Sequence, residues 1–152
     1  MTQVPTSLTP KAFRVWKELF KNPNIWMDAS SLGQRVDMSG RELISVVCTM
    51  NSPYIEREKG TCSSAPRVRL SVTEEEQRDL YRAVMKLYYR IDQGMMDEIR
   101  SCITPLGWIS SKDISEITGY RCATVAIAIS LMDDVRMTKA DTIKMYSCDP
   151  IY

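Results

Sequence analysis

The stretch WMDASSLGQRVDMSGRELISVVCTM, residues 26–50, lies without a gap on WISSKDISEITGYRCATVAIAISLM, residues 108–132, at an offset of 82. The alignment sets Trp26 on Trp108, Asp28 on Ser110, Leu32 on Ile114, Met38 on Tyr120, Leu43 on Val125, Val47 on Ile129 and Met50 on Met132, nearly always apolar on apolar. Upstream the offset becomes 83 and pairs Phe13 with Met96, Trp16 with Ile99, Leu19 with Cys102 and Phe20 with Ile103, a shift that one loop residue accounts for. Self-similarity at a fixed spacing marks a repeated structural unit. The competing explanation is two sets of amphipathic helices patterned alike by chance. If the repeat is structural, Trp26 and Trp108 occupy equivalent places, each closing a core beside a hairpin.

Within each copy the period is helical. Phe13, Trp16, Leu19 and Phe20 share one face behind Pro10, whose missing N–H is harmless in a first turn, and the helix is expected to end near Asn22-Pro23. Met95, Met96, Ile99, Cys102 and Ile103 do the same ahead of Pro105-Leu-Gly107. Asp28 and Ser110 stand where N-caps are wanted for a short second helix, and Ser110-x-x-Asp113 reads as a capping box. Ser39-x-x-Glu42 opens a third helix to about Met50 with Leu43, Val46, Val47 and Met50 inward; its counterpart runs to about Met132. Residues 54–59, a turn-rich GTCSSAP and residues 67–72 then predict a hairpin with a floppy tip, Val68, Leu70 and Val72 facing the helices. The second copy has a shorter version, residues 135–138 and 143–147 around Lys139-Ala-Asp141-Thr. Between the copies, Thr73-Glu-Glu-Glu76 caps a connecting helix to about Gln93, on which Leu80, Val84, Leu87 and Ile91 form a stripe widened by Tyr81, Tyr88 and Tyr89. That stripe closes the first core, wedges between the units, or forms a seam for self-association.

With 152 residues, the chain has material for one ordinary core or two small ones. Its 44% hydrophobic and 26% charged residues are those of a globular protein, and no apolar run approaches the roughly 18 residues that cross a bilayer. The opening MTQVPTSLTP lacks the basic-then-apolar pattern of a secretory signal, so a cytoplasmic location is expected. Cys48, Cys62, Cys102, Cys122 and Cys148 are odd in number and scattered, and the chain has no histidine. Free thiols are therefore expected, with no disulfide framework, metal site or cofactor. Lacking histidine, a P-loop, a G-x-G-x-x-G or a carboxylate pair in an apolar setting, the sequence offers enzyme chemistry no foothold.

Three helices followed by a β-hairpin, the second helix short and the third well capped, resemble the winged helix-turn-helix family, twice over nearly the whole chain. The residues that carry the resemblance best are W-x5-L-x5-M-S-x-R-E-L-x3-V-x2-M, from Trp26 to Met50. The expected fold is mainly α with small β-hairpin wings, an α+β protein of two tandem units, residues 9–72 and 94–148, joined by a helix over 73–93. The resemblance implies a third helix laid in the major groove of DNA and a wing along the backbone or in the minor groove.

Projection at 3.6 residues per turn puts Arg41, Ser45, Cys48 and Thr49 on the outer face of the first third helix. Arg41 stands where a base-reading fork to guanine belongs, with Ser45 and Thr49 one and two turns on and Ser39 at the cap. Gln34 and Arg35 on the second helix, and Lys59, Arg67 and Arg69 on the wing, are placed to hold phosphates. Taken singly, each is equally well read as a solvated surface charge. Residues 1–72 carry ten Lys plus Arg against six Asp plus Glu, net +4, whereas residues 73–94 are net −1 and residues 95–152 net −2. The same projection in the second copy turns Ala123, Ile127, Ser130 and Leu131 outward, an apolar face with Arg121 in place of the capping Ser39. Such a face meets protein more readily than phosphate, unless the connecting helix or Ile151-Tyr152 covers it.

Two functions of different class follow. One is a DNA-binding transcriptional regulator, the first copy reading duplex DNA and the second, or the connecting helix, making a homodimer or meeting a protein partner. The other is a protein–protein adapter that binds no DNA, favoured by the near-neutral charge. A plasmid or viral replication initiator shares the first scheme and differs in which DNA is bound.

Overall fold

The computed structural model describes residues 2–149. The chain is α+β, with two compact units, Met1–Tyr88 and Tyr89–Tyr152. The first runs α1 (Pro10–Lys21), β1 (Met27–Asp28), α2 (Ala29–Arg35), α3 (Gly40–Met50), β2 (Ile55–Glu58), β3 (Arg67–Leu70) and α4 (Glu74–Tyr89). The second runs α5 (Gln93–Ser101), β4 (Ile109–Ser110), α6 (Ser111–Thr118), α7 (Cys122–Ser130), β5 (Val135–Ala140) and β6 (Ile143–Cys148). The order helix, short strand, two helices, hairpin thus occurs twice. The starts of β4, α6 and α7 each follow those of β1, α2 and α3 by 82 residues. Each unit has one antiparallel three-stranded sheet of the same topology, β1-β3-β2 and β4-β6-β5, so the last strand is central in both.

In the first unit, the Ala12 N–H donates to Thr9 Oγ1 at 3.1 Å, capping α1 ahead of Pro10. One face of α1, Phe13, Val15, Trp16, Leu19 and Phe20, is buried. Past the helix Asn24, at φ 61°, donates its amide to Val72 O at 3.0 Å and accepts from Val72 N–H at 2.9 Å, tying the entry to β1 against the exit from β3. The turn between α2 and α3 is tight. A Cβ on Gly33 would lie 2.5 Å from Met38 O, so only glycine lets the α2 backbone come so close. Asp37 in this turn has φ 59°, and its counterpart Gly119 has φ 83°, so the left-handed residue recurs at the repeat offset. Ser39 Oγ accepts from Glu42 N–H at 3.1 Å; Glu42 does not return the bond, and its carboxylate pairs with Lys11 on α1.

Several expectations meet corrections. Trp26 and Trp108 do stand one residue before β1 and β4, but neither closes a core: Trp26 is half-buried and Trp108 is 47% exposed. The connecting helix stops at Tyr89, because Arg90 is left-handed at φ 55° and Asp92 Oδ1 caps α5, accepting from Met95 N–H at 2.8 Å. It also belongs to the first unit. Phe13 stacks on Tyr88 at 3.6 Å, Tyr81 meets Phe20 edge-on at 5.5 Å, and the Gln77 amide donates to Phe20 O. Leu80 and Val84 are fully buried and Leu87 is half-buried, so these positions of the stripe pack largely within the first unit, while Ile91, 5% exposed, lies beyond the helix end in the second. At the wing tip the Thr61 N–H donates to Ser64 O at 2.8 Å and their hydroxyls meet at 2.9 Å. In the second unit the hairpin strands are six residues long, against four in the first, and close through Asp141 at φ 58°. No described helix is long and apolar enough to cross a membrane.

Candidate nucleic-acid interface

Burial of Leu43 and Val47 fixes the roll of α3 and leaves Arg41, Ser45, Cys48 and Thr49 exposed. Arg41 lies in the first turn, where the helix begins cleanly at its Ser39 cap, and among the described residues it has no hydrogen-bond or ion-pair partner. Ser45 is likewise unengaged. Thr49 Oγ1 donates to its own helix at Val46 O, 2.7 Å, which leaves it only lone pairs to offer a ligand. In the last turn of α2, Gln34 is exposed and Arg35 is 3.8 Å from Glu18, a pair loose enough to open.

The wing divides its charges by face. The register sets Glu56 opposite Arg69 and Glu58 opposite Arg67, while Val68 and Leu70 point to the core. Arg67 Nη2 donates to both Glu58 oxygens at 2.7 Å, and Arg69 Nη2 to Glu56 at 2.6 Å. Both guanidinium groups also sit over the Trp26 ring, at 5.3 and 4.5 Å from its centroid. The Arg69 hydrogen bond, helped by Ser71, holds the Glu56 carboxyl below the usual carboxylate range. These two arginines are therefore engaged within the sheet, and a phosphate must compete with Glu56 and Glu58 for them. Lys59 beyond them is exposed and unpaired among the described residues.

One basic side chain escaped the reading of the sequence. Arg57 points to the other side of β2, with Ile55, and donates to Cys48 Sγ on α3. It bridges the outer face of α3 to the wing. The alternation of Ile55 and Arg57 against Glu56 and Glu58 carried that signal, and it needed only the register to be read. Between α3 and the hairpin lies a groove of about 610 Å³ lined by Ile44, Ile55, Arg57, Glu58, Lys59 and Pro66.

The equivalent place in the second unit is chemically different. Of the outward positions expected on α7, Ala123 and Ser130 are exposed and Ile127 is half-buried, but Leu131 is 6% exposed. Leu131 is the C-cap residue, so helical projection does not apply to its side chain. Arg121 stands at the N-cap and makes no side-chain cap bond, and residues 151 and 152 lie outside the described residues. Trp108 again carries a wing arginine, Arg136, 6.0 Å from its centroid. All five cysteines are free, and no group of His, Cys, Asp or Glu among the described residues is placed to hold a metal. No known protein family, characterised protein or solved structure matches the chain.

Proposed function

We propose that the chain is a DNA-binding transcriptional regulator built of two tandem winged helix-turn-helix units, working in the cytoplasm and reading duplex DNA through the first unit. The observation that carries this reading is the outer face of α3. A capped helix presents an unpaired, exposed Arg41 in its first turn, followed by Ser45 and Thr49, beside a hairpin with free basic charge. In the major groove Arg41 offers two parallel N–H groups to guanine O6 and N7, and Ser45 and Thr49 take the next base edges. Gln34 and Arg35 at the end of α2, with Arg57 and Lys59 at the wing, reach phosphates on either side. Arg67 and Arg69 act first as stiffeners, because their charge is already matched by Glu58 and Glu56.

The test is a salt titration of binding to random duplex DNA, followed by fluorescence anisotropy. With three cationic side chains on phosphates, log affinity falls against log salt with a slope of about −3. A slope near zero, or no binding at low salt, contradicts the proposal and leaves the adapter reading in its place.

A further inference from the structure

We infer that the groove between α7 and the β5–β6 hairpin holds a short apolar segment of a partner protein flanked by carboxylates. The groove encloses about 650 Å³ and is lined by side chains that include Ile127, Met137, Ile143 and Tyr146, with Lys112 and Lys144 among them. It occupies in the second unit the place that the charged groove beside α3 occupies in the first. There the hairpin brings Arg57, Glu58 and Lys59 to the wall beside Ile55; here it brings Val135, Met137, Ile143 and Tyr146, with Lys144 its one charge.

Two observations fix the chemistry of the occupant. The first is the exposure of large apolar groups on a hairpin that has no need of them: Met137 is 53% and Ile143 57% exposed. Side chains of that size, gathered around one concavity, favour an apolar occupant over a phosphate backbone. The second is charge. Residues 89–152 hold seven Lys plus Arg against nine Asp plus Glu, so the unit is acidic, yet its groove is lined by two lysines and no carboxylate. Neither Lys112 nor Lys144 has an ion-pair partner among the described residues. An apolar floor with unmatched ammonium groups complements an apolar segment carrying Asp or Glu beside it, and selects against a basic one. This inference stands on the second unit alone and does not depend on DNA binding by the first.

The experiment uses the full chain and two fluorescein-labelled peptides, four leucines bracketed by glutamates and the same four bracketed by lysines. The Glu-bracketed peptide is expected to bind at least tenfold more tightly. Met137→Ser with Ile143→Ser, both exposed positions, weakens it tenfold or more with no change in thermal unfolding. Lys112→Glu with Lys144→Glu inverts the preference between peptides. Equal binding of the two peptides, or a preference that survives charge reversal, overturns the inference. So does sedimentation showing a dimer that Met137→Ser dissolves, which makes a second copy the occupant. A fall in duplex DNA affinity on reversing Lys112 and Lys144 overturns it in favour of nucleic acid.

Discussion

Helices α3 and α7 occupy the same place in the repeated order of elements, begin 82 residues apart and follow the same left-handed turn residue, yet their surfaces have little in common. α3 is polar outside, capped by Ser39, with an unpaired arginine in its first turn. α7 is Cys-Ala-Thr-Val-Ala-Ile-Ala-Ile-Ser, uncapped by any side chain, with no charged residue in it. The inward positions, Leu43 and Val47 in one and Val125, Ala128 and Ile129 in the other, form the buried stripe of each helix. The outward positions are left free to diverge. One backbone pattern thus carries two chemically different surfaces, because burial constrains only one stripe of each helix.

The largest expected effect tests whether α4 is part of the first unit. Leu80→Ala removes a fully buried side chain and should cost about 2–5 kcal/mol in a denaturant titration, with no change in mass by sedimentation. Loss of a dimer at unchanged stability would instead show a seam for self-association. The helix caps sharpen the comparison next. Ser110 makes a reciprocal capping box with Asp113, whereas Asp28 at the same place makes no side-chain cap bond. Ser110→Ala should therefore cost about 1 kcal/mol and Asp28→Ala only a few tenths, and equal losses would deny the difference.

The wing supplies a change in the opposite direction. Glu56→Gln with Glu58→Gln frees Arg69 and Arg67 from their cross-strand partners, so DNA affinity should rise and the salt slope steepen by up to about two. An unchanged slope would mean that this face of the wing never meets phosphate. The smallest effect lies in the acid limb of stability. Arg100 donates to Asp134 at 2.8 Å and holds that carboxyl below its ordinary value of 3.8, as Arg69 does for Glu56 in the first unit. A carboxyl lowered in the folded state adds stability that is full above its ordinary value and lost as pH falls through the lowered one. Asp134→Asn should flatten the decline in stability below about pH 4 slightly, because the Asp134 carboxylate is largely exposed. A steeper decline would contradict that sign.

Much of this was legible in the sequence because helices repeat at 3.6 residues and caps have fixed chemistry. The inward residues of α1, Leu32 of α2, Leu43 and Val47 of α3, the boxes at Thr73 and Ser110 and the hairpin arms needed nothing more, whereas Val46 and Met50, expected inward, are half-buried. The rest depends on long-range geometry. Two-residue strands such as Met27–Asp28 and Ile109–Ser110 are too short to alternate, so the third strand of each sheet left no pattern. The break at Arg90 has no glycine or proline to announce it. In the candidate site, the exposure of Arg41, Ser45 and Thr49 followed from projection, but the engagement of Arg67 and Arg69 did not. It arises from a cross-strand register and from Trp26, which lies some forty residues earlier in the chain.

The most direct test of DNA reading by α3 is the binding of Arg41→Ala to the duplex that the parent selects best from a random pool. Arg41 is exposed and touches none of the core, so stability should move by roughly half a kcal/mol or less. Affinity for the selected duplex should fall by about 1–3 kcal/mol, with preference blurred at one base pair. An Arg41→Ala protein that selects the same duplex and binds it as tightly as the parent would contradict DNA reading by α3.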